Sequence, residues 1–163
     1  MAAAPSFVVE DQGEVISLLE SRFAPARRID THGAVVFLTK DRAYKMKRAV
    51  RFPYMDFGTV ERRRAMCQAE IDINRQLAPE IYLGVEEVKA PSGRSDWLVV
   101  MRRFDEEGLL DRMAERNALT PAIMAALGAR IAAFHDGLPP VRDGFGRPED
   151  YRHSVAADVR QML

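Results

Sequence analysis

Glu70 is the residue whose placement says most about chemistry. Residues 59–77 carry a helical periodicity, and Met66, Glu70, Ile73 and Leu77 fall on one face at spacings of four, three and four. A carboxylate turned toward a core must find a cation or lose its charge, because an unpaired buried ion is very costly. The strand-like segment 42–50 offers cations. There Ala43, Lys45 and Lys47 alternate with Tyr44 and Met46, so the alanine and both lysines share one strand face. Spacing alone leaves two arrangements open. Either Glu70 faces the core and takes Lys45 or Lys47 as its partner, or the helix is rotated slightly and Glu70 lies at a solvated edge. The cations are open in the same way, since Lys45, Lys47, Arg48 and Arg51 also suit the wet face of an edge strand, where lysine blocks edge pairing.

Other chemistries find less support. His32, His135, His153 and Cys67 form no pairs at metal-ligand spacing, so no zinc site is expected. Ser17, Ser92 and Ser95 lack the context of a nucleophile elbow. Arg62, Arg63 and Arg64, with the basic segment 40–51, could form a phosphate-binding patch for nucleic acid, or simply a solvated helix start. Lys plus Arg and Asp plus Glu both number 24, and this balance favours the second and gives no field toward nucleic acid or membrane.

The elements that must position these residues follow from pattern and punctuation. Residues 10–23 form an amphipathic helix with Val15, Leu18, Leu19 and Phe23 inward, closed by Pro25. Residues 34–39 read as a strand, Lys40 and Asp41 as a two-residue connection, and 42–50 as the next strand. Pro53 and Gly58 mark a loop, and Thr59 caps the helix that carries Glu70. Residues 81–88 are strand-like, Pro91, Ser92 and Gly93 make a turn, and 97–101 form a nearly all-apolar strand expected at a buried central position. Beyond Phe104 only helices follow: a short one at 109–117, a longer one opened by Thr120 and Pro121 and running to about His135, and a last one from Pro148. Strands followed by helices predict an α+β fold with segregated layers.

Together the segments Asp30-Thr31-His32-Gly33, Phe37-Leu38-Thr39, Ala43-Tyr44-Lys45-Met46-Lys47 and Asp56-Phe57, then Glu70 and the run from Leu77 to Val85, resemble one family. That family is the bacterial branch of the aminoglycoside phosphotransferase-like proteins, of protein-kinase-like fold and often fused to a P-loop kinase domain. The resemblance is strongest over 30–104. It implies an amino-terminal lobe at 1–104, an antiparallel sheet with one helix, and the first helices of an incomplete carboxy-terminal lobe at 105–163. By position, Lys45 would contact the phosphates of ATP, Glu70 would hold Lys45, and Ala43 would pack on adenine. Backbone of the hinge at Met101, Arg102 and Arg103 would meet the adenine edge, and Thr31, His32 and Gly33 would form the turn over the phosphates. That turn departs from protein kinases, which use G-x-G-x-x-G.

The rest of such machinery, a catalytic-loop aspartate and the residues that hold Mg²⁺, is not visible. His135-Asp136 ends the helix of Ile123, Leu127, Ile131 and Phe134, with Gly137 as its cap, and the resemblance implies that a Phe-His at this place belongs to the first large helix of the carboxy-terminal lobe rather than to the catalytic loop. The resemblance therefore implies the ATP-binding part of a phosphotransferase acting with MgATP on the hydroxyl of an unknown small molecule. Alternatives are a kinase-shaped module that binds nucleotide or a partner without transfer, and, behind it, a nucleic-acid-binding domain. The final stripe of Tyr151, Val155, Val159 and Met162 runs to Leu163 without a cap, which suggests the front piece of a longer protein, inactive alone and inclined to dimerise. Met1-Ala2-Ala3-Ala4-Pro5 does not read as a signal peptide, there is no long apolar run, and Cys67 is the single cysteine, so a cytoplasmic location is expected.

Overall fold

The computed structural model describes residues 7–140, 146 and 148–162. Its chain divides into two compact units, one reaching to Ala118 and the other starting at Leu119. The fold is α+β with an antiparallel sheet, as the pattern predicts.

In the first unit α1 (Gly13–Phe23) precedes β1 (Arg27–Asp30), β2 (Ala34–Leu38) and β3 (Arg42–Lys47). A two-stranded hairpin follows, β4 (Arg51–Phe52) with β5 (Met55–Asp56), then α2 (Val60–Asn74), β6 (Tyr82–Lys89) and β7 (Ser95–Arg102). The main sheet has the order β1-β2-β3-β7-β6, so β3 is its middle strand. An edge-strand origin for the lysines is thereby excluded. A 3-10 turn (Glu106–Gly108) and α3 (Leu110–Glu115) complete the unit. The second unit holds α4 (Pro121–Asp136) and α5 (Pro148–Met162).

Local signals account for most of these boundaries. Thr59 accepts a hydrogen bond from the Arg62 N–H, and Thr120 caps α4 in the same way through the Ile123 N–H, with Pro121 behind it. Thr39 closes the Lys40-Asp41 connection, its N–H donating to the Arg42 carbonyl at 2.9 Å. Gly93 turns the chain between β6 and β7 at φ 89°, a left-handed conformation that favours glycine.

Apolar side chains seal one face of the sheet. Val15, Leu19 and Phe23 of α1 pack on Val35, Phe37, Met46 and Leu98, with the Phe23 and Tyr44 rings stacked at 4.1 Å. The other face receives α2, whose buried residues are Arg63, Cys67 and Ile71. This corrects the stripe read from the sequence. Met66, Ile73 and Leu77 are exposed, Ile73 by 62%, and the helix stops at Asn74 rather than reaching Leu77. The inward face is the one at 63, 67, 70, 71 and 74, about one residue round from the expected one.

Charge sets that rotation. Arg63 is completely buried, and its guanidinium donates to Asp96 Oδ1 at 2.9 Å, Glu10 Oε2 at 2.9 Å and the Phe57 carbonyl at 3.1 Å. Asp96, also buried, accepts from the Trp97 N–H and, at 2.6 Å, from Gln12 Nε2. Gln12 in turn ties the Lys47 carbonyl and the Ala49 N–H, so one polar network joins α1, α2, β3 and β7. Among the described residues no buried side-chain nitrogen or oxygen lacks a partner.

On α5 the side chains of Tyr151, Val155 and Val159 are exposed, whereas that of Met162, the fourth residue of the expected stripe, lies outside the described residues. No helix among the described residues is long and apolar enough to cross a membrane. Breaking a buried ion pair from one side leaves an uncompensated charge, at a cost of about 3–5 kcal/mol. The Arg63→Ala variant is accordingly expected to lose that much stability in urea denaturation, and a loss below about 1 kcal/mol would show that the network does not hold α2.

Candidate functional site

Glu70 and both lysines meet on the α2 side of the sheet. Lys45 Nζ lies 3.0 and 3.2 Å from the two carboxylate oxygens of Glu70, and Lys47 Nζ lies 2.8 Å from the second. Lys47 is nearly enclosed and rests 5.0 Å from the centre of the Phe57 ring, while Lys45 keeps about a third of its side chain in solvent. Burial of Glu70 opposes its charge, but the hydrogen bonds from Lys47 and Lys45 outweigh that effect and hold the carboxyl below its ordinary range. Burial pushes the Cys67 thiol in the same layer up to about 11, so it is no nucleophile. One carboxylate facing two ammonium groups leaves the cluster one positive charge in excess. Lys45 is the member open to an anionic ligand.

Ala43 lies two residues before Lys45 on the same strand face, about 7 Å away along the strand. It pairs in register with Met101 on β7 and with Leu38 on β2. A cavity of about 210 Å³ opens beside it, lined by Ile29, Leu38, Ala43, Phe104 and Leu109, with Arg27, Arg103 and Glu106 around them. Sequence reading missed every wall except Ala43 and Arg103. Ile29 sits on β1, a strand of sequence Arg-Arg-Ile-Asp with no alternation to announce it. Arg27 shares that strand, Leu38 lies on β2, and Phe104, Glu106 and Leu109 come from the chain after β7.

At the carboxy-terminal end of β7, hydrogen bonds within the fold restrict the expected roles of the backbone. The Arg102 N–H donates to the Ile81 carbonyl at 2.8 Å and the Arg103 N–H to the Asp41 carbonyl at 3.0 Å. Both donors are used within the fold.

Thr31, His32 and Gly33 form the turn between β1 and β2. The Thr31 hydroxyl accepts from the Ala34 N–H at 3.0 Å, and Arg48 reaches the Thr31 carbonyl at 3.2 Å. Gly33 lies under the β4–β5 hairpin, where an added Cβ would come 3.0 Å from the Met55 methyl. His32 turns its ring edge to Phe52, 5.9 Å away, and joins an aromatic group with Phe7 and Tyr54.

The three consecutive arginines do not make a surface patch. Arg62 pairs with Asp56, Arg63 is buried, and the Arg64 guanidinium lies 4.5 Å from the centre of the Trp97 ring. Among the described residues no group of three His, Cys, Asp or Glu side chains is placed to hold a metal ion.

No protein-family model matches the chain, and no solved structure does. It is 36% identical over 107 residues to the uncharacterized proteins Rv2004c of Mycobacterium tuberculosis and Mb2027c of Mycobacterium bovis. That stretch is 65% of this chain and 22% of each relative, so the chain spans about a fifth of the length of the curated proteins it matches.

Because the Glu70 carboxyl titrates below its unfolded value of 4.5, it contributes stability that is complete above that value and is lost as pH falls through the lowered one. The Glu70→Gln variant is expected to be about 2 kcal/mol less stable at neutral pH, with a flatter acid limb below about pH 4.5. Denaturation midpoints measured from pH 7 to 3 check both; an unchanged acid limb overturns the assignment.

Proposed function

We propose that this chain is the nucleotide-binding part of a kinase-like phosphotransferase, with 1–104 as its amino-terminal lobe. The observation that carries the reading is the ion pair between Lys45, on the middle strand, and Glu70, on the helix that follows. Adenine would lie in the cavity beside Ala43, where a small side chain lets a flat ring approach the backbone. Its phosphates would then extend toward Lys45, whose ammonium group supplies a charge that Glu70 holds in place without fully neutralising it. Thr31, His32 and Gly33 would cover the phosphates from the β1–β2 turn.

In this reading the chain binds and orients ATP but supplies neither the base that takes the acceptor's proton nor the residues for Mg²⁺. The acceptor, a small molecule with a hydroxyl, belongs to the whole protein. Association of the chain through the apolar stripe of α5 is part of the same reading and is checked by light scattering.

Calorimetry with ATP and adenosine tests the site, using two substitutions with different consequences. Ala43→Leu fills the cavity and is expected to remove binding of both ligands. Lys45→Ala is expected to leave adenosine binding intact and to weaken ATP by about tenfold, as the loss of one charge-assisted contact implies. Equal ATP affinity in both variants and the parent chain would refute the reading. Acceptor-dependent ATP turnover by the isolated chain would show that its catalytic groups have been overlooked.

A further inference from the structure

On the sheet face away from Ala43 and Met101, Arg42 of β3 and Arg102 of β7 are register partners. Like charges placed directly opposite destabilise a strand pair. They border a cavity of about 690 Å³ whose other walls are Lys40, Asp41, Leu83 and Arg103. Leu83 is the extra residue of a bulge in β6, where Tyr82 faces Met101 and Gly84 faces Val100. Bulges of this kind are common where a strand must open beside a site.

The cavity holds four cations and one carboxylate. Among the described residues the side chains of Lys40 and Arg42 have no hydrogen-bond or ion-pair partner. Arg102 reaches only the Glu80 carbonyl, and Arg103 the Thr39 carbonyl with Glu106 more distant at 3.5 Å. Elsewhere Arg22, Arg27, Arg28, Arg51, Arg62 and Arg63 each meet a carboxylate, while Arg48, Arg75 and Arg94 reach carbonyls and Arg64 a ring, none of them gathered beside another cation-lined cavity wall. The whole chain is balanced at 24 and 24, so this corner concentrates charge that the fold does not compensate.

We propose that this pocket is a binding site for a compact anion carrying two or more phosphate groups. Two guanidinium forks side by side suit phosphate oxygens, and an anion between them turns the Arg42–Arg102 repulsion into attraction. More than one phosphate is required because the groups are exposed and solvent screens each single pair. The site lies on the opposite sheet face from Lys45 and stands whether or not nucleotide binds there.

Inorganic triphosphate is the probe, titrated calorimetrically into the 163-residue chain at low salt. Arg42→Gln combined with Arg102→Gln is expected to weaken it by about tenfold or more, while Lys89→Gln, an exposed cation at the far end of β6, leaves it unchanged. Both arginines are exposed, and the double variant is expected to melt no lower than the parent chain, which keeps a binding loss distinct from unfolding. ATP binding that survives Ala43→Leu and disappears on adding the arginine changes would identify a nucleotide's phosphates as the source; triphosphate binding without it would identify the free anion, and either supports the site. No triphosphate binding, binding unaffected by the double variant, or binding lost equally in Lys89→Gln overturns it.

Discussion

Everything on the α2 side of the sheet depends on a helix that carries charge on its inward face. Arg63 and Glu70 stand seven residues apart, two turns along, and the apolar residues fully buried between and beside them are only Cys67 and Ile71. Burying a side chain of that kind contributes about 1.5–3 kcal/mol, too little to select one rotation of the helix over its neighbours. The ionic partners select it instead. Asp96 and Glu10 fix the start of α2 through Arg63, and Lys45 and Lys47 fix its middle through Glu70. A turn of the helix that would bury Met66 and Ile73 would strand both charges, which is the more expensive error.

The same constraint shapes the candidate site. Lys45 is held by a carboxylate that it shares with the better-buried Lys47, so Glu70 orients Lys45 without cancelling its charge. Lys47 is itself kept in register by the Gln12 side chain on its carbonyl, which links the site to the network around Arg63. A change at Arg63 or Gln12 therefore acts on Lys45 through packed, hydrogen-bonded groups, although neither residue touches it.

What the sequence disclosed was local or strictly periodic. Thr59, Thr120 with Pro121, the Lys40-Asp41 connection and the turn at Gly93 act within a few residues, and each appears where the sequence reading puts it. The alternation of Ala43, Lys45 and Lys47 against Tyr44 and Met46 held because a strand permits no other phase. The spacing left a Glu70 pair with Lys45 or Lys47 open beside a solvated Glu70, only the resemblance singled out Lys45, and the apolar stripe cited with it was the wrong one. Interactions between distant segments were illegible. Nothing near Arg63 announces Asp96 thirty-three residues on, and a run of three arginines reads as surface until one of them is seen to be buried. β1 was missed for a related reason: with Ile29 alone turned inward, its pattern is that of a loop.

The apolar cavity beside Ala43 has a structural cause in the unequal cover of the two sheet faces. α1 closes one face over Val35, Phe37, Met46 and Leu98. On the other, α2 packs against β6 and β7 and reaches β3 at Lys45 and Lys47. Ile29 and Leu38, half-buried on β1 and β2, lie outside the apolar cluster that α2 makes with β6 and β7. The chain leaving β7 bends back through Phe104 and Leu109 and closes part of that gap. What remains is an apolar slot bordered by two strands and floored by an alanine, with an incompletely neutralised lysine two residues further along the same strand. A ligand that satisfied both ends would need an apolar body and an anionic tail, as the nucleotide proposed above would have.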